Sequence, residues 1–187
     1  MMQNILITGG AGYIGSYFVR KLINLKYNIT VIDNLMFNQK AIFLKKKYSN
    51  LNFINGDVRD ESLIKKNVNK NDIIIPLAGI VGAPLSEKMP KETKEINEDS
   101  IKYMTSICSK DHLIIMPVSN SGYGVGEKDK FCDENSPLKP VSLYGRTKVA
   151  AENIIMEREN SISFRLATVF GVSIDRMRTD LMVNNFT

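Results

Sequence analysis

Short runs of β-branched and aliphatic residues alternate along this chain with longer amphipathic stretches, and that alternation constrains the fold more than any other feature. Ile5-Leu6-Ile7-Thr8 is apolar on both faces, as a strand in the middle of a parallel sheet must be. It ends in glycines, after which Tyr13 to Leu25 reads as a helix. Further strands are expected at Ile29 to Ile32, Leu51 to Ile54, Asp72 to Pro76, Leu113 to Val118 and Ile162 to Leu166. Between them lie a long helix from Pro90 to Cys108, opened by proline in its first turn, and another from Ser142 to Glu159. Met177 to Phe186 reads as a short amphipathic helix. The polar stretch from Asn120 to Pro140 reads as a long loop, and such loops inside compact domains are usually functional. Six strands and their helices take up the 187 residues and leave little for a second domain.

Composition narrows the function classes. Lys and Arg number 25 against 20 Asp and Glu, and the net charge of +5 is spread along the chain. The densest run, Lys45-Lys46-Lys47, reads as a solvated helix end. A nucleic-acid footprint needs a longer basic stripe with aromatic or motif support. Every apolar stretch breaks within about ten residues, too short to span a bilayer. The N-terminus enters the first strand with no basic segment or cleavage site ahead of it. Cys108 and Cys132 lack metal-ligand spacing and do not make a disulfide framework, and His112 has no second histidine to join it. The expectation is a single-domain cytoplasmic protein with no metal, no membrane partner and no nucleic-acid partner.

The first chemical signal is Thr8-Gly9-Gly10-Ala11-Gly12-Tyr13-Ile14-Gly15, directly between a strand and a helix. Gly9 and Gly12 would keep the turn tight and let backbone approach a pyrophosphate, while Gly15 would let the helix lie close to the strand. The spacing is G-x-x-G-x-x-G rather than the commoner G-x-G-x-x-G, and a glycine-rich turn without a ligand is the alternative. Asp33 follows 18 residues after Gly15, at the end of the second strand. A carboxylate there can accept hydrogen bonds from ribose hydroxyls and would repel a 2′-phosphate, which favours NAD over NADP; the other reading is a turn-capping Asp. Asp57 ends the third strand in the same way, placed to accept from an adenine amino group or to cap the helix from Asp60.

The second signal is Tyr144-Gly145-Arg146-Thr147-Lys148 near a helix start. A spacing of four puts Tyr144 and Lys148 on one face, which Ala151 and Ile155 continue inward. An ammonium about 4 Å from the phenol, at an effective dielectric near 20, offers about 4 kcal/mol, enough in principle to lower its pKa by up to three units. Tyr144 is then a candidate general base, against the alternative of an ordinary surface pair. The third signal is Ser119-Asn120-Ser121-Gly122-Tyr123-Gly124 at the end of the fifth strand. Ser119 could hydrogen-bond a substrate oxygen, or the segment is a plain strand-end turn. All these residues collect at strand C-termini, the edge where open parallel sheets bind ligands, and Asn97 points at the sheet from near that edge.

In order, these motifs, with ProLeuAlaGly (76–79) and PheArgLeuAlaThrValPheGly (164–171), resemble the extended short-chain dehydrogenase/reductases of the nucleotide-sugar epimerase/dehydratase branch. The resemblance runs from Asn4 to about Gly171. It implies an α/β Rossmann-like fold, a doubly wound parallel sheet with helices on both faces, and bound NAD. It implies Ser119, Tyr144 and Lys148 as the catalytic set, with Lys148 also holding the nicotinamide ribose. Cofactor contacts are implied at Gly9, Gly12, Tyr13, Ile14 and Gly15, at Asp33 and Asn34, at Asp57 and Val58, at Leu77, Ala78 and Gly79, and at Asn97. Substrate contacts are implied at Ser119, Asn120 and Ser121, and at Asn184 or its neighbour Asn185. Asn120-Ser121 stands where dehydratase members carry Asp-Glu, which disfavours sugar 4,6-dehydration. Relatives are much longer, so residues 1–171 are expected as the NAD-binding domain and 172–187 as the start of a substrate lobe. The implied activity is Tyr-assisted hydride transfer on a nucleotide-sugar in an epimerase or reductase; the alternative is a non-catalytic NAD-binding or sensor module. Ala150 and Ile154 lie off the Tyr144/Lys148 face, which calls for a second packing partner, and the resemblance implies that this partner is a second copy, a homodimer through helices 90–108 and 142–159. Apolar surface left bare by an absent lobe would add to self-association.

Overall fold

The structure is a computed structural model, and it describes residues 3–39, 47–126 and 131–186. The lysine run at 45–47 lies, except for its last residue, outside the described residues. Strands β1 (Asn4–Thr8), β2 (Asn28–Asp33), β3 (Leu51–Asn55), β4 (Ile73–Pro76), β5 (Leu113–Ser119) and β6 (Ser161–Leu166) form one parallel sheet. Its spatial order is β3-β2-β1-β4-β5-β6. The chain builds outward from β1 to β3, crosses back to β4, and builds outward the other way. The reversal between β1 and β4 opens a crevice at the C-terminal ends of those strands.

The helices are α1 (Tyr13–Asn24), α2 (Glu61–Val68), α3 (Ala83–Lys88), α4 (Pro90–Lys94), α5 (Ser100–Ile107), α6 (Leu143–Met156) and α7 (Met182–Phe186). The expected helix from Pro90 is one continuous rod, but a π turn over Glu95–Asp99 joins α4 to α5. The short α3 was not anticipated. The helix expected over 177–186 is confined to α7, with an irregular segment before it. Capping follows local chemistry: Asp60 accepts the Leu63 N–H at 3.0 Å and Ser142 accepts the Gly145 N–H at 3.0 Å.

Strand alternation sends Leu6, Ile32, Ile74, Ile114 and Met116 to one face, where α2, α5 and α6 bury them. Ile5, Ile7, Val31, Ile73 and Ile75 go to the other face, under Val19 and Ile23 of α1. Burial of each such side chain contributes about 2 kcal/mol. The second face is covered unevenly. Register pairs Ile115 with Ile162 and Pro117 with Phe164, which puts both β6 side chains on the α1 side. With α1 packed on β1 and β2, Ile162 stays 43% and Phe164 49% exposed. The opposite face of β6 is polar: Arg165 and Ser163 both bond the buried Glu152 carboxylate of α6.

Candidate active site

A cavity of about 340 Å³ runs along the C-terminal edge of the sheet. The β4–β5 ladder covers Ile73–Leu113 and Ile74–Ile114; the continuations Leu77–Gly82 and Pro117–Asn120 then both line the cavity. At one end stands the glycine turn. Gly9 has φ +70°, and a Cβ there would lie 2.5 Å from the Ala78 nitrogen, so only glycine fits. A Cβ on Gly15 would lie 2.4 Å from the Gly9 carbonyl oxygen, which is how closely α1 approaches the turn. Gly12 is the N-cap of α1, with no side-chain cap and no acidic residue in the first turn. A helix N-terminus open to a cavity in this way attracts an anion. Gly12, Tyr13, Ile14 and Gly15 all line the cavity.

Asp33 is buried beside the turn. Its carboxylate accepts the Ala11 N–H at 2.9 Å and the Leu35 N–H at 2.8 Å, and Gln39 at 3.3 Å, tying β2 to the glycine turn. Burial pushes its pKa up against those bonds and the nearby Arg176 charge. Asn34, Asp57 and Val58 also line this end. Asp57 does not cap α2; Asp60 does. Asp57 is gripped by Arg59 at 2.8 Å and by the Asn34 amide at 3.0 Å. That hydrogen bonding, with Arg59 the largest cause, holds its carboxyl at about 2.

At the other end, Ser119 closes β5 while Tyr144 and Lys148 project from the first turns of α6. A hydroxyl has one donor and two acceptor sites. The Ser121 N–H at 3.2 Å and the Ser121 hydroxyl at 2.8 Å both donate to Ser119 Oγ, which leaves the Ser119 proton to point elsewhere. Lys148 is 6% exposed, and desolvation lowers its pKa to about 8. The phenol departs from expectation. Burial pushes the Tyr144 pKa up, and the groups that pull it back are the Ser119 hydroxyl and the Arg178 charge. Lys148 acidification was inferred from spacing alone, which cannot weigh the desolvation of both partners.

Leu77, Ala78, Gly79 and Asn120 line the cavity, whereas Ser121, Asn97 and Asn184 do not. Each of these three is spent on structure. Ser121 orients Ser119. Asn97, inside the π turn, is 1% exposed; it accepts the Ile80 N–H and donates to the Ile80 carbonyl, both at 2.9 Å, bracing the loop after β4. Asn184 accepts the Gly171 N–H at 2.9 Å and donates to the Tyr13 hydroxyl and the Arg178 carbonyl, each at 3.0 Å. Sequence reading missed Phe37, Gln39, Ala167–Val169, Arg176 and Arg178, all cavity-lining. Arg178 is locked by a bidentate pair with Asp180. The only available signal was two arginines two positions apart after the last strand.

The family model for the NAD dependent epimerase/dehydratase family matches residues 5–187. A putative UDP-glucose 4-epimerase of Methanocaldococcus jannaschii is 34% identical over 154 residues, spanning 81% of this chain and 49% of that protein. The bifunctional UDP-glucose 4-epimerase and UDP-xylose 4-epimerase 1 of Pisum sativum is 30% identical over 162 residues, with 81% and 46% covered. The chain thus spans about half the length of the curated relatives it matches. Among solved structures, the NAD-dependent NDP-hexosamine 5,6-dehydratase TunA superimposes with a TM-score of 0.82 at 25% identity, over 98% of this chain and 59% of that one. WbmG of Bordetella bronchiseptica, solved with NAD and UDP, gives 0.79 at 25% identity over 91% and 55%. Among the described residues, no helix is long and apolar enough to cross a membrane. A match over nearly the whole chain, on the sheet order and cavity just described, means that the chain belongs to the NAD-dependent epimerase/dehydratase family.

Proposed function

We propose that this chain carries the NAD-binding and catalytic half of a nucleotide-sugar epimerase or reductase. One observation supports the reading above the rest: a single cavity is lined by an uncapped helix N-terminus at one end and by Ser119, Tyr144 and Lys148 at the other. The residues fit a dinucleotide. The first turn of α1 suits a diphosphate, because the nearest atom to a Cβ on Gly12 would be the Gly9 oxygen at 3.1 Å, and no side chain intrudes. Asp33 suits ribose hydroxyls and disfavours a 2′-phosphate, with Asn34, Asp57 and Val58 around the base. Bound NAD supplies a hydride acceptor and donor.

The chain's own residues handle protons and position. Tyr144 takes the proton of a sugar hydroxyl and returns it. The Ser119 hydroxyl and the Arg178 charge favour the phenolate, and Lys148 holds a ribose hydroxyl. Ser119, its acceptor sites filled by Ser121, has one proton to give, which bonds the Tyr144 oxygen and turns to the substrate oxygen once the substrate is bound. Asn120 lies at the cavity mouth for the substrate. In the same reading residues 172–187 lead into a substrate lobe, two copies pair through the helices at 90–108 and 142–159, where Ala150 and Ile154 remain half-buried, and the protein works in the cytoplasm.

The competing reading is a non-catalytic NAD-binding or sensor module. Denaturing the purified chain and assaying for released NAD(H), then incubating native chain with NAD and UDP-, GDP- and dTDP-sugars, separates the two. Dinucleotide release with sugar conversion supports the enzyme. Release without conversion supports the module, and no dinucleotide binding overturns both.

A further inference from the structure

After β6 the chain folds back over the cavity as a strap, and its anchors lie on α1. The Tyr13 hydroxyl donates to the Gly171 carbonyl at 2.6 Å, and Ser16 and Ser173 share a hydrogen bond of 3.2 Å. Arg20 grips Asp175 through two bonds of 2.9 and 3.2 Å, with the Asp175 side chain only 1% exposed. These anchors start at the same α1 turn that offers its N–H groups to a diphosphate.

Next to the last anchor, Arg176 enters the cavity. Its guanidinium lies 4.0 Å from the centroid of the Phe37 ring, on the wall it shares with Asp33 and Gln39. The backbone N–H of Arg176 bonds Ser173 Oγ, but among the described residues its guanidinium makes no hydrogen bond. A half-buried guanidinium set over an aromatic face retains its fork of donors, the arrangement that recognises phosphate or ribose oxygens. Asp33 does not take those donors: among the described residues its oxygens accept from Ala11, Leu35 and Gln39, and Arg176 acts on it only through its charge.

We propose that Arg176 is a cofactor-binding residue, gripping the ribose-phosphate of the dinucleotide's adenosine half, with the strap on α1 as its rigid mount. The proposal rests on the reading of the cavity as an NAD site. It places the segment after β6, expected to belong to the substrate side, at the far end of the cofactor as well. Both readings are tested by calorimetric titration of ADP, NADH and nicotinamide mononucleotide into purified chain stripped of carried-over nucleotide with charcoal. Arg176→Ala is expected to weaken ADP and NADH about tenfold and leave nicotinamide mononucleotide unchanged. Arg176→Gln, which keeps most of the side-chain volume, should give the same loss, and Arg20→Ala should reproduce part of it by loosening the mount. ADP affinity within twofold of the parent in both Arg176 variants, with NADH still binding, overturns the role of Arg176 and leaves the NAD reading intact. A parent chain that binds neither ADP nor NADH overturns both.

Discussion

The Asp33 end of the cavity is made mainly of backbone. Four glycines and the start of α1 come from eight consecutive residues, and one carboxylate 18 residues later ties them to β2. The Tyr144 end is made of side chains from three distant places: Ser119 at the end of β5, Tyr144 and Lys148 on α6, and Arg178 on the strap. A local backbone shape is rigid without help, whereas a convergent cluster must bury ionisable groups and keep them apart from water. The cost appears in Lys148, held near 8, and in Tyr144, raised by burial. On the proposed function the first end holds the cofactor and the second carries the reaction, so they should fail differently.

Tyr144→Phe should break the ends apart most sharply. Turnover of a nucleotide-sugar is expected to fall about a thousandfold, with NADH affinity within a few-fold of the parent, measured by steady-state assay and titration. Equal turnover would remove Tyr144 as the base. Gly15→Ala should do the reverse. A methyl 2.4 Å from the Gly9 oxygen forces the turn from α1, costing about 3 kcal/mol in denaturant unfolding and weakening NADH binding as well.

Lys148→Met tests the cost of the reactive end. The folded pKa of about 8 lies below the ordinary value, so the unfolded chain holds the extra proton between pH 8 and about 10.5, and stability rises with pH across that window. Below it the penalty is full. The variant should therefore be more stable than the parent at pH 7, by up to about 3 kcal/mol, and lose that advantage above about pH 10.5. Parallel stability curves for parent and variant from pH 7 to 11 would refute it. Arg178→Met carries the smallest effect. The Tyr144 ionisation, read by ultraviolet difference against Tyr144→Phe, should move to higher pH as the neighbouring cation is lost; an unmoved titration would remove Arg178 from the phenol's surroundings.

Legibility in the sequence followed the same divide. Short β-branched and aliphatic runs located all six strands to within about a residue at each end; β1 and β4, buried on both faces, write that environment into consecutive side chains, and the edge strands β3 and β6 show only the run itself. The glycine turn and Asp33 were legible because their geometry is local. Ser121, Asn97 and Asn184, where the resemblance implies ligand contacts, each brace a neighbour in the structure, a role set by atoms as far as 171 residues away in the chain. The π turn around Asn97 left no local mark, since nothing in Glu95-Ile96-Asn97-Glu98-Asp99 forbids an ordinary helix.

By itself the amino-acid order determined a parallel α/β sheet, the edge on which its chemistry collects, and the turn that would receive a diphosphate. All three follow from steric rules acting over a few residues. Tertiary structure alone decided which polar groups face the cavity, which way the phenol's pKa moves, and that a strap anchored on α1 brings Arg176 and Arg178 to it. Those outcomes depend on desolvation and on contacts between segments far apart in the chain, and neither quantity exists until the sheet has closed.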